Sequence, residues 1–482
     1  MTVDSFPNYI AGTWASGCNA ARNINPSDLN DTIGDYTQAS ANQTVEAIEA
    51  AAAAFPKWRA TSPLVRFEAL DRIGSEILVR VDELGDMLAR EEGKTLSEAK
   101  AEAHRAGHLF KYFAAEAYRA TGDAYQSLRV GVSLKVVREP IGVVGVITPW
   151  NFPLAIPAWK IAPALAYGNT VVFKPAELVP GSAWMLSDII ARAGLPEGVF
   201  NLVMGKGREV GEAIVTHPKV SGVTFTGSTP VGRHMGAALF ARGAKMQLEM
   251  GGKNPLVVLD DADLDLAVHC SLQGSFFSTG QRCTASSRLI VTEGIHDAFV
   301  DRLCVAMKDL RVGDARAAET QIGPVASEAQ LAIDKRYVSQ AVADGATLAA
   351  GGGEVKSKTP GHYFAPALFT DVSPQAAVAR DEIFGPVAAV LRVPDYDAAL
   401  ATANDCEFGL SAGIVTRDAA KIDHFSLNAE AGMIQVNLPT AGMDFHAPFT
   451  GRKGSSYGAP EKGSYCREFF TAAKVVHEGR GQ

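Results

Sequence analysis

From residue 141 onward the chain alternates short β-branched apolar runs with helical segments, and this alternation most narrows the folds open to it. IGVVGVI, TVVFK, GVFNLV, VSGVTFTG and KMQLEM are bounded by Gly or Pro and separated by stretches at helical spacing. Runs of that length and texture suit strands buried on both faces, which predicts a parallel sheet covered by helices. The pattern restarts at NPLVVLD (254–260) and continues through RLIVTE, PVAAVLRV, GLSAGIVT and GMIQVN, so two α/β units follow one another. Upstream, AIEAAAAAFPKW, RFEALDRIGSEILVRV and EAKAEAHRAGHLFKYFAAEAY predict consecutive helices over 44–119. VSLKVVRE (132–139) reads as an alternating strand with no helix of its own. The tail 463–477 has strand-like ends and needs a pairing edge, which a partner subunit would supply. GGGEV and TPGHYF read as surface loops.

At 482 residues the chain exceeds one ordinary core. A net charge of −8 argues against nucleic acid or an anionic membrane as its main partner. Residues 141–159 carry no charge and are nearly long enough to span a bilayer. Pro149, Pro153, Pro157 and Asn151 would break such a helix, so the stretch reads as a buried strand followed by a loop. The start, MTVDSFPNYIAGTW, lacks the basic and apolar regions of a signal peptide. Six scattered cysteines without a CxxC pair suit a reducing cytoplasm. His104 and His108 lie four apart on a helix without a third ligand, so no metal site is expected. HExxH does not occur.

Five local patterns carry chemistry. In GQRCTASSR (280–288), Cys283 follows a helix that closes into a Gly turn. Backbone N–H groups there would lower its pKa and favour the thiolate; a small buried apolar residue is the bland reading. In LEMGGKNP (248–255), Glu249 ends an apolar strand beside two glycines, a place for a general base or an ordinary surface acid. In TPWNFP (148–153), Asn151 sits between prolines, as an oxyanion donor or as a turn former. VTFTGSTPVGR (223–233) runs strand, Gly-Ser turn, helix start, which suits a phosphate. Arg233 and His234 stand where a P-loop needs Lys and Ser/Thr, and GxGxxG is absent in its usual form. VVFKPAE (171–177) places Lys174 and Glu177 at a strand end, where ribose hydroxyls or solvent would meet them.

Together PWNFP, FKPAE, FTGS, LEMGGKNP, GQRC and EIFGPV occur in the order seen in the aldehyde dehydrogenase superfamily, which the chain resembles over nearly its whole length. The resemblance implies two Rossmann-like parallel-sheet domains plus a small β oligomerisation arm. It places the cofactor-binding domain at 1–121 and 141–251, the catalytic domain at 252–462, and the arm at 122–140 and 463–482. It implies Cys283 as nucleophile, Glu249 as the base for the deacylating water, and Asn151 with the Cys283 N–H as the oxyanion hole. Lys174 and Glu177 correspond to adenine-ribose contacts, Ser228 to a pyrophosphate contact, and Glu382 and Phe384 to holders of the nicotinamide ribose. Gly207 and Gly211 fall where the family lines its adenine cleft, and Thr148, Pro149, Trp150, Gly227 and Val231 complete the cofactor contacts. The implied cofactor is NAD+ or NADP+, with Glu177 leaning towards NAD+. The implied partners are a small aldehyde and further copies of the chain, as a homodimer or homotetramer.

For the substrate, GQRCTASSR and the 436–463 segment are most similar to bacterial α-ketoglutarate semialdehyde (2,5-dioxovalerate) dehydrogenases. Trp159 stands where succinate semialdehyde enzymes carry a carboxylate-binding arginine, which leaves that work to Arg282 or the Ser286/Ser287 pair. Thr284 and His446 are the other expected substrate contacts. The alternatives are a broad aliphatic/aromatic or succinate semialdehyde dehydrogenase and, more distantly, a non-catalytic member of the fold.

Overall fold

The computed structural model describes residues 5–119 and 122–479. Residues 1–4, the expected domain boundary at 121 and positions 480–482 of the expected arm lie outside them. The helical region resolves into Ala41–Arg59, Pro63–Val79, Val81–Glu92 and Leu96–Glu116. Ser40 with Gln43 and Thr95 with Glu98 form capping boxes that satisfy the first N–H groups of two of them. Before Ala41 lie short strands without a counterpart in the sequence reading. Two of them, Asn8–Ile10 and Thr13–Ala15, form a hairpin on the edge of the first large sheet.

That sheet runs Lys245–Glu249, Val220–Thr226, Val143–Ile147, Thr170–Lys174 and Phe200–Leu202, all parallel. Val143–Ile147 and Thr170–Lys174 are buried throughout, as their unbroken apolar sequences require. A second sheet holds Ala367–Thr370, Val387–Val393, Arg288–Thr292, Pro255–Val258, Ser411–Val415 and Met433–Val436 in parallel. An antiparallel strand not anticipated from sequence, Thr347–Ala350, closes its edge.

One expectation is corrected here. After Val143–Ile147 the chain forms a short loop and then the buried helix Ala155–Ala166, so Pro157 does not break it. Pro157 occupies the first helical turn, where a missing N–H is harmless. Among the described residues no helix is long and apolar enough to cross a membrane.

The tail also differs from expectation. Thr471–Gly479 pairs antiparallel with Val132–Pro140 of its own chain along nine residue pairs. Asp123–Gln126 adds the third strand of this sheet. Thr471–Gly479 forms one of its edges, so its outer backbone groups are the ones left to pair elsewhere.

The two large sheets meet so as to build a site. Ile147 pairs with Lys174 and Phe225, and Thr226 with Glu249, which puts four strand ends side by side. These are carboxyl ends, where open α/β sheets bind ligands. Opposite them lie the segments entering the second sheet, with Asn254 just before Pro255 and Cys283 a few residues before Arg288. Asn254 fastens them by donating to the Cys283 and Ala285 carbonyls at 2.7 and 3.0 Å.

Candidate active site

Cys283 stands between two cavities of about 420 and 390 Å³ and lines both. Its loop, fastened by Asn254, packs close against the LEMGG turn because two glycines leave room for it. A Cβ on Gly252 would lie 2.6 Å from the Cys283 carbonyl oxygen, and one on Gly251 would lie 2.0 Å from Glu382 Oε2. The two glycines thus admit protein groups, and Gly251 also lines the larger cavity.

Thr148, Pro149 and Trp150 form one wall of the larger cavity, with Gly227, Ser228 and Val231 beside them. Ser228 is the N-cap of the thirteen-residue helix Thr229–Ala241, and its own side chain does not cap it. The first N–H groups of that helix are therefore available to an anion. Gly207 has open space where a Cβ would be, and Gly211 faces the Lys174 side chain across 3.8 Å. Glu177 accepts the Gly207 N–H at 2.9 Å. Lys174 donates to the Pro175 carbonyl at 2.8 Å, and burial pulls its ammonium down to about 8. Thr148 Oγ1 and Thr226 Oγ1 are buried in this cleft with no protein partner. A dinucleotide fits such a lining: free helix N–H groups, orphaned hydroxyls, and a carboxylate within reach of a ribose.

At the cleft's inner end Glu382 accepts the Gly252 N–H at 2.9 Å, and burial raises its carboxyl to about 7. Phe384 has φ of 61° and meets Trp150 edge-on at 5.3 Å between ring centroids. Both rings line the same cavity as Cys283.

Cys283, Glu249 and Asn151 lie in one region, and there one physical expectation fails. The Cys283 thiol is pushed up to about 12, first by burial and then by the charges of Glu382, Glu249 and Glu461. Backbone N–H groups do not offset these effects, so the resting side chain is a thiol rather than a thiolate. Glu249 is 3% exposed and accepts from Ser456 Oγ at 2.6 Å. Burial and the neighbouring Glu461 hold its carboxyl well above the usual range. Asn151, also 3% exposed, donates one amide hydrogen to the Gln281 carbonyl at 3.0 Å, leaving the other free. Its own carbonyl accepts from Lys94 at 2.6 Å.

A thiol, a buried carboxyl whose pKa is raised and an amide donor in one region suit acyl transfer, and the adjoining cleft suits a dinucleotide. The pattern of the aldehyde dehydrogenase family matches residues 14–476. An alpha-ketoglutaric semialdehyde dehydrogenase of Bacillus subtilis is 42% identical over 98% of both chains. The chain belongs to the aldehyde dehydrogenase family. An alpha-ketoglutarate semialdehyde dehydrogenase of Haloferax volcanii is 40% identical over 99% of both chains. The crystal structure of an NAD-dependent aldehyde dehydrogenase from Sinorhizobium meliloti superposes with a TM-score of 0.97 at 33% identity. That match covers 99% of this chain and 95% of the other. As an aldehyde dehydrogenase, the chain oxidises an aldehyde to a carboxylic acid with NAD+ or NADP+ as the hydride acceptor.

The smaller cavity also reaches Cys283 and shares no other lining residue with the larger one. Trp159, Arg282 and Thr284 line it. Trp159 stacks on Phe449 at 5.8 Å and donates to Glu461 Oε2 at 2.6 Å, so it forms wall rather than a carboxylate contact. Arg282 reaches the Gln273 carbonyl with one nitrogen, while its Nε is buried without a partner.

Three expected substrate contacts are corrected. His446 is exposed and outside the lining. Ser286 is fully buried and bonded to Thr440 at 2.6 Å, and Ser287 also lies off the tunnel. Both serines belong to the turn that feeds strand Arg288–Thr292, and that turn faces inward.

Several functional neighbours escaped the sequence reading. Arg105, Glu98 and Glu102 reach the tunnel from helix Leu96–Glu116, and Lys462 reaches it from the chain's far end. Glu102 is already engaged by Lys94 and by the N–H groups of Leu154 and Ala155, which fixes the Asn151 loop. Glu98 is engaged by Ser278 and Thr95. Behind Glu249, the buried Lys160 pairs with Glu461 and donates to Thr224. Helical periodicity marks which face of a helix is buried, but it does not reveal a partner hundreds of residues away.

Proposed function

We propose that the enzyme oxidises 2-oxoglutarate semialdehyde to 2-oxoglutarate through a thioester on Cys283. The observation that carries this reading is the charge of the tunnel. Arg105, Arg282 and Lys462 line the approach to Cys283, and among the described residues none of them forms an ion pair. The acids beside them, Glu98 and Glu102, are engaged elsewhere. Such a tunnel favours an aldehyde with a carboxylate at its far end. Relatives named for this semialdehyde, from Bacillus subtilis and Haloferax volcanii, support the choice.

In this reading Cys283 gives up its proton and its sulfur bonds to the aldehyde carbon. The developing oxyanion is held by the free Asn151 amide hydrogen and the Cys283 N–H. Bound NAD+ or NADP+ supplies the hydride acceptor, held by Ser228, Lys174 and Glu177 at one end and Glu382 and Phe384 at the other. Glu249 then takes a proton from the water that attacks the thioester, and the acid leaves as the thiol reforms. Glu461 and Lys160 lie behind Glu249 and offer that proton a polar route.

Glu177 gives the lean between cofactors. Its carboxylate accepts from ribose hydroxyls but repels a 2′-phosphate, and Lys174 is only partly able to offset it. Steady-state kinetics on a panel of aldehydes, with both cofactors in parallel, tests these choices. The expected result is kcat/KM for 2-oxoglutarate semialdehyde at least about tenfold above butanal, and NAD+ at least equal to NADP+. Preference for the uncharged aldehyde would remove the substrate reading. A preference for NADP+ above about tenfold would remove the ribose argument.

The three-stranded sheet is, in the same reading, an arm that engages another subunit. Deleting 472–482 removes its outer strand while keeping the buried Phe469 and Phe470. Light scattering should then show a smaller or aggregating species. An unchanged oligomer would refute the arm.

A further inference from the structure

We infer that Lys462 selects the substrate: its ammonium, held in the tunnel against the stacked rings of Trp159 and Phe449, receives the far carboxylate of an anionic aldehyde. The inference rests on the substrate reading above and deepens it to a residue.

Backbone geometry gives the first argument. Glu461, Lys462 and Gly463 turn sharply, with φ of 58° at Lys462 and 54° at Gly463. The left-handed region is disfavoured for a residue with a long side chain, so an ordinary turn here would carry Gly or Asn. The turn sends neighbouring residues to opposite sides. Glu461 points back to Lys160 and the Trp159 indole, while Lys462 enters the tunnel.

The surroundings of the ammonium give the second. Lys462 is 2% exposed, and its Nζ lies 4.8 Å from the Phe449 ring centroid and 5.2 Å from that of Trp159. Two aromatic faces hold a cation without using its hydrogens. Among the described residues its one hydrogen bond is a long 3.5 Å contact with the Asp444 carbonyl, which leaves two of its three donors without a partner there. Burial pulls its pKa down to about 8, with Arg105 adding to the fall and Glu461, Cys283 and Glu249 opposing it. A desolvated cation with free donors is suited to a carboxylate, because pairing restores what burial removed.

Position relative to the chemistry gives the third. The acids around the Cys283 thiol raise its pKa, and Lys462 lowers it. Lys462 is thus near enough to act on the reacting sulfur while standing on the tunnel wall. Cys283 and Lys462 line the same cavity, so a short dicarboxylic semialdehyde with its aldehyde on Cys283 directs its carboxylate towards Lys462. Arg282 is partly engaged by Gln273, and Arg105 stands on the opposite element, helix Leu96–Glu116.

The test compares kcat/KM for 2-oxoglutarate semialdehyde and succinate semialdehyde with that for butanal, using the full-length enzyme with NAD+. Lys462→Met keeps the length that packs between the rings and removes the charge. It should lower the ratio of anionic to uncharged kcat/KM by about 10- to 100-fold, mainly through KM, and Lys462→Arg should recover most of that ratio. Lys462→Gln carries the same comparison if Lys462→Met does not fold. A ratio retained within about threefold overturns the assignment, including the case where all aldehydes slow equally. Glutarate, as a competitive inhibitor, reads the carboxylate site without turnover and should weaken about tenfold or more in Lys462→Met. A wild-type enzyme without anionic preference overturns the substrate reading. If glutarate inhibition is then also insensitive to Lys462, the residue assignment falls with it; if it is sensitive, the assignment stands alone.

Discussion

Replacing Cys283 by alanine abolishes aldehyde-dependent reduction of the cofactor, by about 10⁴-fold or more, and leaves the chain folded with its cofactor cleft in place. The loss is large because the sulfur is asked to form the bond on which both half-reactions depend. No neighbouring group can substitute. Thr284 is buried with its carbonyl held by Thr440, and Ser286 faces away. The fold should be indifferent, because the thiol is only half-buried and packs lightly against Leu410, Met433 and Phe449. NAD+ binding, read by quenching of protein fluorescence, and the thermal midpoint should both match wild type. Activity within about tenfold of wild type would remove Cys283 from the chemistry.

Glu249→Gln separates the two half-reactions. Glutamine keeps an oxygen for Ser456 Oγ, so the strand end should hold its shape. What is lost is a carboxylate able to take a proton from water. The first turnover should therefore still deliver a burst of NADH, while steady turnover falls by about 10² or more. Disappearance of the burst along with turnover would place Glu249 in removal of the thiol proton instead. The pKa environment bears on that choice, since burial and the neighbouring acids raise both the thiol and the carboxyl. Raising the pH should favour deprotonation of both, so kcat/KM should climb through the neutral and alkaline range by up to about tenfold per pH unit.

Much of the fold was legible because strands buried on both faces leave continuous β-branched runs. Val143–Ile147, Thr170–Lys174 and Val220–Thr226 announce themselves in that way. Helix Ala155–Ala166 did not, because its prolines argue against helix until Pro157 is seen to occupy the first turn. Asn8–Ile10 and Thr13–Ala15 are too short to show a period. In the site, residues carried by compact motifs, such as Asn151, Glu249 and Cys283, were legible as a set. The tunnel wall was not. Arg105 and Lys462 meet only when helix Leu96–Glu116 packs near the 461–463 turn, and a lone Lys or Arg is read as surface by default. The sequence also suggests a lowered thiol pKa, and burial among three acids reverses it.

The thioester on Cys283 is the central claim, and trapping it is the most direct measurement. Glu249→Gln is mixed with 2-oxoglutarate semialdehyde and NAD+, quenched in acid, digested and weighed by mass spectrometry. The account predicts that the peptide carrying Cys283 gains the mass of the aldehyde less one hydride and one proton, in step with the NADH burst. An NADH burst with that peptide unmodified, or with the acyl group on any other residue, would contradict it.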